Sequence, residues 1–226
     1  QDHVVGALRN AVRGGTEGHA YLFSGPRGTG KTSTARILAK ALNCEDLRDG
    51  EPCCECSACI EIEGGRSFDL FELDAASNRG VEEISQLLDQ AVYKPVLGRF
   101  KVYMIDEVHM LSTTAFNAML KTLEEPPDYL KFVLATTDPQ KVPPTVLSRC
   151  LQFNLRPMAP QTVQVHLVDV LAQEHIAAES GALRLLARAA RGSMRDALSL
   201  TDQAIAFGAG ALDEAQLRLL AEVSPS

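Results

Sequence analysis

Residues 25–32 read GPRGTGKT, and they limit the possible folds of this chain more than any other stretch. The pattern G-x-x-x-x-G-K-[ST] indicates a phosphate-binding loop when it joins a strand to a helix. Here the loop follows the apolar run 20–23 and precedes residues 33–42, whose apolar positions recur at helical spacing. The sequence therefore predicts a buried strand, a phosphate-binding loop and a helix, in that order.

The residue types in this loop suit a nucleoside triphosphate. Glycines let the backbone turn its N–H groups toward phosphate oxygens, and the N-terminus of the next helix adds partial positive charge. Lys31 supplies a full positive charge, and the Thr32 hydroxyl is a ligand for Mg²⁺. The alternative is a glycine-rich turn without a ligand. The residues predicted to contact ATP are Gly25, Pro26, Arg27, Gly28, Thr29, Gly30, Lys31, Thr32 and Ser33.

Five of the six cysteines lie between residues 44 and 59. Four of them have the spacing of a tetrahedral zinc site, which is closed and therefore structural. Disulfides are one alternative, although they seldom persist in the cytosol, and an iron–sulfur cluster is another. Acidic residues far outnumber basic ones in 44–83, which favours a protein contact over a phosphate contact. The predicted zinc ligands are Cys44, Cys53, Cys56 and Cys59, with Cys54 as a substitute for Cys53.

A second, largely apolar strand is predicted at 101–105, and it ends in two adjacent carboxylates. Neighbouring side chains at a strand end point in different directions, so the two acids can have different roles. We predict that Asp106 helps to hold Mg²⁺ and that Glu107 polarises the attacking water. The alternative is an acidic turn without a ligand.

Strands and helices alternate through the first two thirds of the chain. A third strand is predicted near 131–137, and a helix over 113–125 is stopped by Pro126 and Pro127. This alternation predicts an α/β fold with a parallel sheet flanked by helices, and ligands bind at the carboxyl ends of such strands. We predict a domain at 1–158 carrying the cysteine insertion at 44–63, and a small helical domain at 159–223.

Composition limits the partners. The net charge of −7 argues against a surface that is basic throughout, so contact with nucleic acid needs a local patch or an assembly. No apolar run approaches about 18 residues, and neither end carries a signal segment, so we expect a soluble chain without membrane contact.

Several further stretches carry a resemblance to a known family. They are HAYLFSG at 19–25, DAAS at 74–77, FKVYMIDEVHML at 100–111, KTLEEPP at 121–127, ATTDPQK at 135–141, SRC at 148–150 and GSMRDA at 192–197. In this order, and with the cysteine insertion, they resemble the clamp-loader group of AAA+ ATPases. Within that group the chain is similar to the tau/gamma family of bacterial DNA polymerase III, over essentially its entire length.

The resemblance implies roles for residues that composition cannot assign. Thr137 matches the first sensor of the γ-phosphate, and the neighbouring Thr136 is a weaker candidate. Arg149 matches an arginine finger that acts in trans on the nucleotide of a neighbouring subunit. Arg195 matches a second sensor carried by a helical lid domain.

The resemblance also implies an activity and partners. The expected activity is ATP hydrolysis that opens a sliding clamp and loads it onto primed DNA, as part of the DNA-directed DNA polymerase III holoenzyme in the bacterial cytoplasm, at the nucleoid. The expected partners are other clamp-loader subunits and further copies of the chain in a ring-like assembly, the clamp, and primer–template DNA bound without sequence preference. Ser77–Arg79 and Thr113–Thr114 are the expected DNA contacts.

Other functions remain open at this point. They are an AAA+ ATPase of another DNA transaction, such as a helicase loader or branch-migration motor, a structural clamp-loader scaffold, and a small-molecule kinase. The family begins about one helix earlier and ends in a collar domain, so we expect both segments to be missing here. Val4, Val5 and the segment 155–157 are then the expected remainder of the adenine pocket.

Overall fold

The structure is a computed structural model that describes residues 1–15, 18–77, 80–208 and 210–223. These ranges contain five β-strands and ten α-helices. The strands are Ala20–Ser24 (β1), Leu70–Asp74 (β2), Lys101–Asp106 (β3), Leu130–Thr136 (β4) and Leu151–Asn154 (β5). The helices are Asp2–Arg13 (α1), Lys31–Asn43 (α2), Ser57–Glu63 (α3), Gly80–Asp89 (α4), Thr113–Glu124 (α5), Pro144–Leu147 (α6), Pro160–Gln173 (α7), Ser180–Ala189 (α8), Met194–Phe207 (α9) and Glu214–Val223 (α10).

The strands form one parallel sheet in the order β2-β3-β4-β1-β5. Ser24 pairs with Thr136 and Asp74 pairs with Asp106, so the last residues of four strands lie at one edge. Residues that leave these strand ends therefore meet around the loop that follows β1. The predicted parallel α/β sheet flanked by helices is confirmed.

Both faces of the sheet are buried. On β1, Tyr21 and Phe23 belong to the apolar cluster that contains Leu38 of α2. Leu22, between them in sequence, belongs to the cluster that contains Met119 of α5. Each fully buried side chain of this size stabilises the fold by about 1.5–3 kcal/mol, so these two layers hold β1 and its following loop firmly in place.

Helix α2 is tied to strand β3 at both of its ends. At its start, the Thr32 hydroxyl donates to Asp106 Oδ2 at 2.7 Å, where β3 ends. At its end, the buried Asn43 side chain pairs with the backbone of Phe100, just before β3 begins. The amide nitrogen of Asn43 donates to Phe100 O, and Phe100 N donates to Asn43 Oδ1, each at 2.9 Å.

The chain divides into two compact units. The first consists of Gln1–Gly25 and Lys31–Leu155, and the second of Pro26–Gly30 with Arg156–Ser226. The tip of the phosphate loop, Pro26–Gly30, groups with the helical unit, and the domain boundary at 158/159 stays a prediction. That unit has its own apolar core, to which α7, α8 and α9 contribute Val163, Leu167, Leu183 and Ala197 among others.

Helix boundaries follow local chemistry. Helix α5 begins after Ser112, whose hydroxyl accepts from Ala115 N at 3.1 Å, and ends before Pro126. Helix α9 begins after Ser193, whose hydroxyl accepts from Asp196 N at 3.1 Å. Within the described ranges, every helix is too short or too polar to cross a bilayer.

Candidate nucleotide site and cysteine cluster

The phosphate loop has the backbone that its glycines allow. Gly25, Gly28 and Gly30 have φ values of 147°, 76° and 95°, which side-chain-bearing residues rarely adopt. The buried Lys31 ammonium donates to Gly25 O at 2.9 Å and so lies across the loop. Gly25 N donates to Thr136 O at 3.3 Å, which joins the loop to the end of β4. The loop is therefore anchored to the carboxyl edge of the sheet.

Within the helical unit, the tip of the loop packs against the start of α9. Met194 N donates to Gly28 O at 2.9 Å. A Cβ atom on Gly28 would lie 1.9 Å from the Ser193 hydroxyl oxygen, which already caps α9. Only glycine fits this position, both for its backbone angle and for the close approach of Ser193.

Replacing Gly28 by alanine is therefore expected to lower the free energy of unfolding by more than replacing Gly30. Both glycines have positive φ, so both variants incur about 1–2 kcal/mol of backbone strain. A Cβ on Gly30 meets no atom within 4 Å, whereas the clash at Gly28 adds about 1–3 kcal/mol. Denaturant unfolding without nucleotide measures the difference, and equal losses in the two variants would contradict the packing described here.

Thr32 and Asp106 form the part of the site suited to Mg²⁺. Their oxygens lie 2.7 Å apart, at the start of α2 and the end of β3. Hydroxyl and carboxylate oxygens are the ligand types that Mg²⁺ prefers, so this pair fits the ion. The other oxygen of Asp106 accepts from Glu107 N at 2.9 Å, which fixes the carboxylate orientation.

Glu107 points toward β4 rather than along β3. Its backbone is left-handed, with φ 49° and ψ 45°, which turns the chain sharply after the strand. Glu107 Oε2 accepts from Thr137 Oγ1 at 2.9 Å and from Thr137 N at 3.3 Å. Asp106 and Glu107 therefore have different neighbours, and the structure brings Thr137 together with Glu107.

Thr136 and Thr137 differ in environment. Thr137 is exposed, whereas Thr136 is fully buried. The Thr136 hydroxyl lies 2.8 Å from His109 Nδ1 and accepts from Asp138 N at 3.0 Å. His109 belongs to the same network and is not among the predicted site residues. The only sequence signal is its place two residues after Glu107.

The two arginines predicted to bind phosphate have different surroundings. Arg149 Nη2 donates to Glu124 Oε1 at 2.9 Å, and its Nη1 donates to Thr145 O at 2.7 Å. A third of the Arg149 side chain is exposed, so the oriented guanidinium stays accessible. Arg195 is exposed in the first turn of α9.

The remaining predicted positions are distributed as follows. Val4 and Leu155 are buried in the same apolar cluster, whereas Val5 is 41% exposed. Thr113 begins α5, and Ser77 donates to Asp74 O through both its N–H and its hydroxyl. The other two residues of the predicted DNA contact at 77–79 lie outside the described ranges.

Four cysteines converge between α2 and α3. The sulfur atoms of Cys44, Cys53, Cys56 and Cys59 all lie within 4.8 Å of one another, and all four are free thiols. Cys54, with φ 60°, is exposed and stands outside this group. Four sulfurs this close match a tetrahedral metal site with Zn–S bonds of about 2.3 Å.

Backbone N–H groups also favour thiolates in this cluster. Cys53 Sγ accepts from Glu55 N at 3.5 Å and from Cys56 N at 3.3 Å, and these bonds lower the pKa of the Cys53 thiol to about 7. Burial raises the pKa values of the Cys44 and Cys59 thiols. Buried thiols of this kind ionise readily only beside a cation, so the donor set fits Zn²⁺.

Comparisons with known proteins place this chain in a family. The model of the family "DNA polymerase III, delta subunit" matches residues 1–159, and that of "DNA polymerase III clamp loader subunit, ATPase lid domain" matches residues 162–210. DNA polymerase III subunit tau of Escherichia coli is 61% identical over 93% of this chain and 33% of its own length. DNA polymerase III subunit gamma of Buchnera aphidicola is 49% identical over 96% of this chain and 59% of its own length.

Solved structures give the fold. The RuvB Holliday junction branch migration motor of Thermotoga maritima superposes with a TM-score of 0.68 at 19% identity, over 98% of this chain and 67% of that one. The chain spans between about a third and three fifths of the length of these tau and gamma relatives. Its sheet, helical unit and sequence agree with one assignment: the chain has an AAA+ fold and belongs to the clamp-loader family of bacterial DNA polymerase III, among the tau/gamma subunits.

Proposed function

We propose that this chain is the ATP-driven motor region of a sliding-clamp loader, which binds and hydrolyses ATP to open the clamp and load it onto primed DNA. One observation carries the proposal. The Thr32–Asp106 and Glu107–Thr137 contacts lie at the carboxyl edge of the sheet, directly beside the phosphate loop. A phosphate-binding loop, two oxygens suited to Mg²⁺ and a carboxylate suited to orienting water thus lie together, which supports a motor rather than a scaffold without ATPase activity.

Each group has a defined task in this proposal. Loop N–H groups and Lys31 bind the β- and γ-phosphates of ATP. Thr32 and Asp106 would hold a magnesium ion, which would supply positive charge beside those phosphates. Glu107 orients the attacking water through its carboxylate, which accepts a hydrogen bond from the Thr137 hydroxyl. Thr137 is also the proposed first sensor of the γ-phosphate.

Two arginines connect the site to assembly. We propose that Arg149 enters the nucleotide site of a neighbouring subunit, where its guanidinium stabilises charge on the transferred phosphoryl group. Its contacts with Glu124 and Thr145 orient the guanidinium within its own chain before assembly. Arg195, in the helical lid domain at 159–223, is the proposed second sensor of the γ-phosphate.

The proposed partners follow from this role. They are other clamp-loader subunits and copies of the chain in a ring, the sliding clamp, and primer–template DNA gripped by its backbone without sequence preference. The work takes place in the bacterial cytoplasm, at the nucleoid, within the polymerase III holoenzyme. The cysteine module at 44–63 has a structural role, with zinc fixing a surface suited to protein contact.

The test uses the full-length protein assembled with its co-expressed partners. ATP hydrolysis is expected to rise when primed DNA and the clamp are added together. Arg149→Ala is expected to reduce this stimulated rate by at least about tenfold. In the proposed mechanism the guanidinium of a neighbouring subunit supplies the positive charge that stabilises the transition state, and the variant lacks it. Arg184→Ala, which removes an exposed arginine on α8, is the matched control and should hydrolyse ATP like the wild type.

One result would count against this function, and another would count against the role of Arg149 alone. If the wild-type rate is indifferent to DNA and clamp, the chain is an AAA+ ATPase of another transaction or a scaffold. If stimulation persists in Arg149→Ala, then the finger is supplied by another residue.

A further inference from the structure

His109 lies in a short 3₁₀ turn, Val108–Met110, immediately after Glu107. The left-handed backbone of Glu107 reverses the chain there, which returns the imidazole toward the carboxylate that precedes it. Only 10% of the His109 side chain is exposed, compared with 29% for Glu107. A histidine this enclosed beside a reacting carboxylate needs a defined hydrogen-bonding role.

One ring nitrogen of His109 contacts two functional groups. Nδ1 lies 2.8 Å from Thr136 Oγ1 and 3.3 Å from Glu107 Oε2. The Thr136 hydroxyl is itself held in place, because Thr136 is fully buried and its hydroxyl accepts from Asp138 N at 3.0 Å. His109 thus connects Glu107 to a fixed point at the end of β4.

The polar contacts at Glu107 favour a single tautomer of His109 and a single orientation of the Glu107 carboxylate. A carboxylate oxygen can only accept a hydrogen bond. The position of Glu107 Oε2 beside Nδ1 therefore favours the His109 tautomer that carries its proton on Nδ1. Oε2 then accepts from the hydroxyl and N–H of Thr137 and lies in electrostatic contact with His109 Nδ1, at 3.3 Å. With Oε2 occupied in this way, Oε1 is the oxygen left for a water molecule.

We infer that His109 is a positioning residue for Glu107, whose Nδ1 atom anchors the carboxylate to Thr136 and so aims its second oxygen at the attacking water. The inference rests on the proposed ATPase function and adds a residue to it. His109 does not touch the nucleotide in this scheme. Its effect therefore appears in the rate of hydrolysis and not in the binding of ATP.

Two isosteric changes separate the roles of the two ring nitrogens. In His109→Asn the side-chain amide nitrogen occupies roughly the place of Nδ1, whereas in His109→Gln it reaches toward Nε2. We expect kcat of the assembled full-length complex, with primed DNA and clamp, to fall about tenfold in His109→Gln and to be largely restored in His109→Asn. KM for ATP should stay within about twofold of the wild type in both variants.

A double variant distinguishes positioning from packing. If His109 acts through Glu107, adding His109→Gln to Glu107→Gln should lower kcat no further.

Thr136→Val, which replaces the anchoring hydroxyl by a methyl group of similar shape, should lower kcat with KM unchanged. It provides a second measurement should His109→Gln fold poorly.

Three outcomes would overturn the inference while leaving the ATPase function intact. They are equal effects of Asn and Gln at position 109, a raised KM with unchanged kcat, and an undiminished effect of His109→Gln in the Glu107→Gln background. A wild-type complex that does not hydrolyse ATP in response to DNA and clamp would instead overturn the proposed function, and the inference with it.

Discussion

Glu107→Gln is expected to abolish most ATP hydrolysis while leaving ATP binding close to that of the wild type. The glutamine keeps the shape of the side chain and can still accept a hydrogen bond from Thr137 through its amide oxygen. It has no negative charge with which to polarise water, so the hydrolysis rate should fall by a factor of about 10²–10⁴. Nucleotide titration and single-turnover hydrolysis on the same assembled complex measure the two properties separately.

The control for this variant is Glu125→Gln. It makes the same chemical change on an exposed carboxylate after α5 and should leave both ATP binding and hydrolysis unaltered. Hydrolysis within about threefold of the wild type in Glu107→Gln would remove Glu107 from the mechanism. Loss of ATP binding would show instead that the carboxylate supports the architecture of the site.

Cys59→Ser is expected to lose bound zinc and to destabilise the cysteine module. Cys59 is 1% exposed and supplies one of the four clustered sulfurs. Structural zinc contributes about 10–16 kcal/mol to the folding of small zinc domains, so its loss should unfold the module locally. We expect zinc content to fall from about one ion per chain to nearly none, and Tm to fall by on the order of 10 °C.

The chain provides its own control in Cys54→Ser. Cys54 is next to a predicted ligand in sequence, yet it is exposed and outside the cluster. Cys54→Ser should therefore keep its zinc and its Tm, as measured by metal analysis and circular dichroism. If Cys54→Ser and Cys59→Ser lose equal amounts of zinc, or if Cys59→Ser keeps its full zinc content, the assigned ligand set is wrong.

Local sequence patterns predicted much of this molecule because their physical causes are local. The loop at 25–32 needs glycines at positive φ, and a strand buried on both faces needs a continuous apolar run such as 20–23. The parallel sheet follows from the alternation of strands and helices. The meeting of Lys31, Asp106 and Glu107 then follows from the position of strand ends at one edge of such a sheet.

Other features depend on contacts between distant residues and have no local pattern. Nothing near Gly28 in sequence indicates that Ser193 approaches it, and nothing near Thr136 indicates that His109 bonds to its hydroxyl. The orientation of Glu107 depends on its own left-handed backbone, which is uncommon for a residue with a side chain. These contacts arise from the tertiary packing of the folded chain.

The attachment of α2 to β3 at both ends has a mechanical consequence. A helix of 13 residues is about 20 Å long. Here hydrogen bonds hold its two ends to the two ends of strand β3. The helix begins at the phosphate loop, and Cys44 follows its last residue directly. The distance between the phosphate-binding loop and the cysteine cluster is therefore set by the length of one helix held at both ends. In the proposed function, any conformational change that ATP causes would then have to come from hinges elsewhere in the protein.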